Sequence, residues 1–244
     1  MEGRPPRPPD DSSSSVYAHR MSPPRPESSV APIELPRGLV FGASTWLAAS
    51  WVVSIGIRPP VQPTSTAYTP AARMLVVAIM IGLLIAWPLA RLSNSKPRRP
   101  LLSAFLDMIS LLVLTQIVIW PLRLVTTWPV ERILTISLDL FANTLLVGGL
   151  LALVGVTRRG ATITMLALVG VVLIPPVLAL GTPIDPILSP SPLVRIWVIA
   201  SGGPGPLPPT AWAGALVTGV VALSLWLLAG RISGLALADP DGLR

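Results

Sequence analysis

The chain has 244 residues, of which 52% are hydrophobic and only 12% are charged. Soluble domains carry about 25% charged residues, so this chain has too little polar surface to cover a soluble body, and a soluble enzyme is excluded. The net charge is +7, and all but one of the 18 Lys and Arg residues are arginine. Because these arginines lie mostly at the ends of apolar runs, they indicate membrane topology, and we expect no binding of nucleic acid.

Several kinds of site are excluded by residue type. The chain has no cysteine, and its one histidine, His19, lies in a polar N-terminal segment. We therefore expect no metal held by His or Cys within the membrane. The one lysine, Lys96, does not follow the glycines of a phosphate-binding loop. Since the apolar runs also contain no nucleophile motif, the sequence predicts neither enzyme activity nor a bound cofactor.

Residues 1–36 are polar and contain nine prolines. Such a segment buries too little apolar surface to offset the entropy of ordering. The sequence predicts a disordered cytoplasmic tail over 1–36, a membrane-embedded region over 37–233 and a second cytoplasmic tail over 234–244.

The embedded region contains six apolar runs near the length of about 20 residues that a membrane-spanning helix needs. These runs are 38–57, 74–90, 101–122, 133–156, 161–180 and 212–232. The sequence therefore predicts an all-α polytopic bundle with six transmembrane helices in the inner membrane of the cell.

One further apolar stretch, within 192–201, is too short to cross a bilayer. Ser191 followed by Pro192 is typical of a helix start, because serine caps the first turn and proline fits its first position. The sequence predicts a short outer helix over 192–201 that is re-entrant, lies at the interface, or caps the bundle. Its apolar side would carry Leu193, Ile196, Trp197 and Ala200.

The distribution of Lys and Arg predicts the orientation, since these residues are enriched on the cytoplasmic side. With six spans and both termini in the cytoplasm, the outer side receives Arg58, Arg73, Arg123, Arg132 and Arg195. The cytoplasmic side receives Arg20, Arg25, Arg37, Arg91, Lys96, Arg98, Arg99, Arg158, Arg159, Arg231 and Arg244. The excess on the cytoplasmic side favours this orientation.

Polar residues inside the predicted spans are candidates for function, because a carboxylate in lipid costs several kcal/mol unless it is paired, hydrated or protonated. The candidates are Asp107, Gln116, Asp139 and Asn143. Spans three and four are joined by a short loop, and this arrangement predicts that Gln116 faces Asp139. Either these residues line a polar translocation path, or they make interhelical hydrogen bonds that only hold the bundle together.

Pro175 and Pro176 lie within the fifth predicted span. Proline removes a backbone donor and clashes with the carbonyl four residues before it, so the sequence predicts a break in this helix. Broken helices often line substrate sites in transporters, although many prolines merely kink a span. A single Gly38-x-x-x-Gly42 motif permits close helix packing and raises the alternative of a homodimer.

The plan of six spans, cytoplasmic termini and a short helix between spans five and six resembles the membrane subunits of ABC-2-type exporters, the haem-exporter permease subunit among them. Arg158-Arg159-Gly160, followed by an apolar span with Pro175, is similar to the fifth-span turn of that subunit. The short basic loop Arg91–Pro100 departs from the family, whose loop there is longer and acidic.

This resemblance implies a separate cytoplasmic ATP-binding subunit. It would dock near a set of basic residues, namely Arg91, Lys96, Arg98, Arg99, Arg158 and Arg159. Two functions thus stay open: a permease-like subunit of a transport assembly, and a non-transporting scaffold or accessory subunit of a membrane complex. An intramembrane aspartyl protease is the weakest hypothesis, because no glycine follows Asp107 or Asp139.

Overall fold

The computed structural model describes residues 37–57, 64–93, 100–157, 161–179, 191–208 and 210–238, and all regular structure in these ranges is helical. The α-helices are α1 (Arg37–Trp51), α2 (Ser65–Ile81), α3 (Trp87–Ser93), α4 (Pro100–Ile119), α5 (Leu122–Val125), α6 (Val130–Thr157), α7 (Ala161–Ala179), α8 (Pro192–Ser201) and α9 (Thr210–Ala238). A π-helical segment follows α1 at Val52–Gly56 and another joins α2 to α3 at Gly82–Ala86. The predicted all-α class is confirmed for this part of the chain.

Five helical stretches are long and apolar enough to cross a bilayer. They are Arg37–Gly56, Ser65–Ser93, Pro100–Val125, Val130–Val154 and Thr210–Gly234, which correspond to five of the six predicted spans. Helix α7 lies at the predicted fifth span but is not among these five, so six crossings and the sides of the termini stay predictions. The predicted N-terminal tail lies outside the described residues, and α9 continues four residues beyond Gly234, into the predicted C-terminal tail.

The second span begins nine residues earlier than the predicted start at Met74. Thr64 caps α2, and its side chain accepts a hydrogen bond from the backbone N–H of Ala67 at 3.3 Å. Pro88, just beyond the π-helical segment, has no N–H to continue the helical ladder. A wider turn at Gly82–Ala86 accommodates this interruption, and the span continues without a loop.

Helix α6 lies at the centre of the bundle, and the first and last spans lie at its edge. About 61% of the apolar window of Val130–Val154 is buried, against 17% for the windows of Arg37–Gly56 and Thr210–Gly234. The outward residues of α9 are large and apolar, including Leu216, Val220 and Leu227. Such a surface is compatible with an integral membrane protein, because lipid chains cover it without the cost that water would impose.

Helices α6 and α9 approach closely where α6 has two successive glycines. A Cβ atom built on Gly148 or on Gly149 would lie 3.1 Å from the Trp226 ring. The Trp226 indole donates a hydrogen bond to the Leu145 carbonyl at 2.9 Å, and its ring meets Phe105 edge to face. The glycines therefore make room for an aromatic side chain that fixes the contact between these two helices.

Candidate functional site

Three of the four polar residues that the sequence places in the spans are buried among the helices, and the fourth, Gln116, is half-buried. Asp139 is fully buried, and Asp107 and Asn143 are 2% and 3% exposed. This burial is what the high cost of polar groups in hydrocarbon requires. Each aspartate then needs a partner, and the structure supplies a different arginine to each.

Asp139, on α6, is paired with Arg195, on α8. Asp139 Oδ1 accepts a hydrogen bond from Arg195 Nε at 2.7 Å and lies 2.6 Å from Arg195 Nη2. Both side chains are almost fully buried, with 0% and 6% of their surfaces exposed. The other carboxylate oxygen, Oδ2, is buried and has no hydrogen-bond partner within the part of the chain that the structure describes. The arginine thus neutralises the carboxylate but leaves one of its oxygens available.

Helix α9 provides a slot for the Arg195 side chain. Thr218 Oγ1 lies 3.3 Å from Arg195 Nη2 and accepts its hydrogen bond. One turn earlier, a Cβ atom on Gly214 would lie 2.9 Å from the Arg195 side chain. Only glycine leaves that space open. The ion pair therefore joins three elements, α6, α8 and α9.

A second arginine holds the other end of α8. Arg132, on α6, is 3% exposed, and its guanidinium donates to the Ile199 carbonyl at 2.6 Å and to the Gly205 carbonyl at 3.1 Å. The first of these carbonyls belongs to the last turn of α8, where the helix leaves acceptors without partners. A Cβ atom on Gly202 would clash with the same guanidinium.

Arg132 and Asp139 are seven residues apart on α6, so they lie on one face of this helix, two turns apart. Arg132 binds the carbonyls at the end of α8, and Asp139 binds the side chain of Arg195 near the start of this helix. We call these contacts the α8 clamp. It comprises the hydrogen bonds of Arg132 to the Ile199 and Gly205 carbonyls, and the ion pair of Asp139 with Arg195. They fix a ten-residue helix to the central span at both of its ends.

Asp107, on α4, is paired with Arg91, on α3. Arg91 Nη1 lies 3.1 Å from Asp107 Oδ2, and the same guanidinium donates a hydrogen bond to Ser103. The arginine side chain is 21% exposed, whereas the aspartate side chain is 3% exposed. Ser103 and Asp107 are four residues apart and share a helix face. This pair links the end of the second span to the start of the third.

Gln116 and Asn143 make other contacts than the carboxylate of Asp139. Gln116 Oε1 accepts a hydrogen bond from Ser137 Oγ at 3.0 Å, two residues from the predicted partner. Asn143 Nδ2 donates to the backbone carbonyl of Asp139 at 2.7 Å, one turn back in its own helix. The antiparallel pairing of spans three and four is therefore close to the predicted register, but the expected contact between Gln116 and Asp139 is wrong.

The predicted helix break and docking residues are placed as follows. The α-helix α7 runs continuously from Ala161 to Ala179, so Pro175 and Pro176 lie inside it and the predicted interruption is absent from its backbone.

Arg91 is engaged with Asp107 and Ser103, as described above. The other predicted docking residues lie outside the described residues: Lys96, Arg98, Arg99, Arg158 and Arg159.

Sequence reasoning missed both arginines of the α8 clamp, since it assigned Arg132 and Arg195 to the outer surface. One signal was available: Arg195 lies in the middle of an apolar helical stretch, where a cation needs a nearby acid. The buried face of α8 includes Arg195, Ile196, Ile199 and Ala200, whereas Trp197 is 39% exposed. The predicted apolar side of α8 therefore coincides only in part with the face that is buried.

No protein-family model, curated protein or solved structure matches this chain. The function is therefore inferred from the geometry of the two ion pairs and of α8.

Proposed function

We propose that the chain is a permease-like membrane subunit of a transport assembly, energised by a separate cytoplasmic subunit. We place it in the inner membrane with six crossings and both termini in the cytoplasm, and we assign it no enzyme activity of its own. The observation that supports this proposal is the Asp139–Arg195 pair, which binds a short helix to a carboxylate well inside a span.

The depth of this contact favours transport. Asp139 follows the start of α6 at Val130 by nine residues, which is about 14 Å along the helix axis. This is close to half of the roughly 30 Å hydrocarbon core. Short or discontinuous helices that meet a polar group near the midplane are a common way for transporters to build a substrate site.

The hydrogen bonding of Asp139 also favours transport over a purely structural role. A polar group that only stabilises a fold normally has its hydrogen bonds satisfied when it is buried. Among the described residues Asp139 Oδ2 has no such partner, which leaves it available there to a donor group or a cation on a passing substrate. Release of Arg195 from Oδ1 would free the start of α8 at the same time, while Arg132 still holds its end.

The proposal is tested by purifying the tagged chain from its native membranes in a mild detergent. We expect vanadate-sensitive Mg-ATP hydrolysis to copurify with it, and the double variant Arg98→Gln/Arg99→Gln to lose this activity. The matched control Arg231→Gln, another basic residue predicted on the cytoplasmic side, should keep it. A preparation of folded chain without ATP hydrolysis would contradict the proposal.

The second candidate is a non-transporting scaffold or accessory subunit of a membrane complex. It is favoured by the pairing of both buried aspartates with arginines of other helices. A scaffold predicts that other membrane proteins copurify at fixed stoichiometry, and that no ATP hydrolysis accompanies them.

The proposed orientation has a separate test, because the chain lacks cysteine. We expect a single cysteine at Arg98→Cys or Arg158→Cys to react with a membrane-impermeant maleimide only after the cells are opened. Labelling of either residue in intact cells would contradict six crossings with cytoplasmic termini.

A further inference from the structure

We propose that a groove beside α1 binds one acyl chain of an anionic phospholipid. The groove has a volume of about 230 Å³. One wall is formed by Gly38 and Gly42 of α1, and the facing wall by Gly82, Ala86 and Ala90 of the second span. We call it the α1 groove.

Each wall of the α1 groove carries a row of small residues at helical spacing, and such rows normally allow two helices to close on each other. Here they stay apart. A Cβ atom built on Gly38 or Gly42 would meet nothing within 4 Å. The groove therefore has room for larger side chains at Gly38 and Gly42, and the glycines leave this room open.

Trp46 holds the walls apart. Its indole Nε1 donates a hydrogen bond to the Ala78 carbonyl across the helix pair at 3.1 Å. A Cβ atom on Gly82 would lie 2.5 Å from the same nitrogen, so the indole occupies the place where the two helices would otherwise meet. The tryptophan acts as a wedge at one end of the α1 groove.

The size and lining of the α1 groove select a lipid chain as its occupant. One turn of an α-helix with side chains, about 10–12 Å across and about 5.4 Å long, has a larger volume than this groove, whereas an apolar cavity of about 150 Å³ already admits benzene. The floor is apolar, with Leu83, Trp87 and Leu111 buried. Gly38, Gly42 and Ala90 at the rim are exposed, so the groove opens on a surface that faces the bilayer.

The charge at one end of the α1 groove selects an anionic headgroup. Arg37 is exposed and directly precedes Gly38, and Arg91 directly follows Ala90. Both walls therefore end in an arginine. Arg91 is committed to Asp107 and Ser103, which leaves Arg37 to contact a lipid phosphate. Guanidinium groups bind phosphate oxygens through charge-assisted hydrogen bonds.

Brominated phospholipids test this proposal, because bromine on an acyl chain quenches tryptophan fluorescence at short range. Trp87 lines the groove and is only 3% exposed, so chains of the surrounding bilayer do not reach it. In nanodiscs, we expect brominated phosphatidylglycerol to quench more strongly than brominated phosphatidylcholine. Trp87→Phe should reduce the difference, and the remainder should come from Trp46 at the end of the groove.

Two substitutions and a matched control identify the groove. Gly42→Leu fills it and should reduce the excess quenching by phosphatidylglycerol at least twofold. Gly230→Leu adds the same side chain to the exposed surface of α9, where a Cβ atom also meets nothing within 4 Å, and should change nothing. Arg37→Gln should keep quenching by brominated phosphatidylcholine but lose the preference for phosphatidylglycerol.

Equal quenching in Gly42→Leu and Gly230→Leu, or equal quenching by the two lipids in the unaltered chain, would overturn the proposal. If Gly42→Leu does not fold, as judged by size-exclusion chromatography, native mass spectrometry of the unaltered chain decides. One retained phosphatidylglycerol per chain is expected. A chain that retains none, or that fills the groove with a second copy of itself as a lipid-free dimer, would contradict a lipid site.

Discussion

The two buried ion pairs differ in reach and in exposure. Arg91 and Asp107 are 16 residues apart in sequence and join the end of one span to the start of the next, with the arginine side chain 21% exposed. Asp139 and Arg195 are 56 residues apart, and both are almost fully buried. The first pair joins two helices that are close in sequence, whereas the second fixes the position of a separate helix.

This difference determines what each pair can do. An arginine with partial exposure turns to water when its partner is removed, so the loss is limited. A fully buried arginine has no such alternative, and the uncompensated charge destabilises the folded state strongly. The Asp139–Arg195 pair is therefore the one whose opening would move a structural element, and the Arg91–Asp107 pair mainly stabilises the end of the second span.

The largest effect is expected from Asp139→Asn. This change leaves the Arg195 guanidinium buried without a counter-charge, and we expect the free energy of unfolding to fall by about 3 kcal/mol or more. Unfolding in mixed detergent and sodium dodecyl sulfate, followed by tryptophan fluorescence, measures it. The control is Glu131→Gln, which removes an exposed acid from the same helix and should have little effect. A loss below about 1 kcal/mol would contradict the burial of this pair.

A smaller effect is expected from Arg132→Gln. The change removes charge-assisted hydrogen bonds to the Ile199 and Gly205 carbonyls, and we expect a loss of about 2 kcal/mol. Arg123→Gln, at an exposed arginine of α5, is the matched control. If both variants unfold alike, Arg132 does not hold the end of α8.

Asp107→Asn should cost about 1 kcal/mol, because Arg91 is able to reach water once the carboxylate charge is gone. The same unfolding assay measures this loss beside that of Asp139→Asn. Equal losses for the two aspartates would remove the distinction between the two pairs.

The smallest effect is expected from Ser137→Ala, which removes the hydrogen bond to Gln116 between α4 and α6. Interhelical hydrogen bonds in membrane proteins contribute about 0.6 kcal/mol on average. The Ser224 hydroxyl donates to the Val220 carbonyl of its own helix, so Ser224→Ala should change the free energy of unfolding by less. A loss above about 2 kcal/mol would exceed the range for such bonds. It would contradict the expectation that this contact contributes less than the ion pairs.

The sequence predicted the helical class, five of the spans and the short helix at 192–201, because each depends on local signals. Apolar length predicts the spans. The serine and proline at 191 and 192 predict the start of α8, and in the structure Ser191 caps it through the backbone N–H of Val194. The extension of the second span to Ser65 was missed, since its first residues are polar and include Pro70.

The partners of the two aspartates were not predictable in the same way. Arg195 reaches Asp139 only because α8 folds back against α6, and Gly214 of α9 leaves space for its side chain. That proximity depends on tertiary packing across 56 residues. Arg195 was assigned to the outer surface from its place between two predicted spans. The apolar residues on both sides of it indicated burial instead.

A double-mutant cycle on Asp139→Asn and Arg195→Gln tests the central claim most directly, since it isolates the interaction between the two side chains. The free energy of unfolding is measured for the unaltered chain, both single variants and the double variant. If the pair holds α8 to the central span, the double variant will recover at least about 1.5 kcal/mol relative to the sum of the single losses. Single losses that add to within about 0.5 kcal/mol would show that the two residues do not interact and that α8 is held by other contacts.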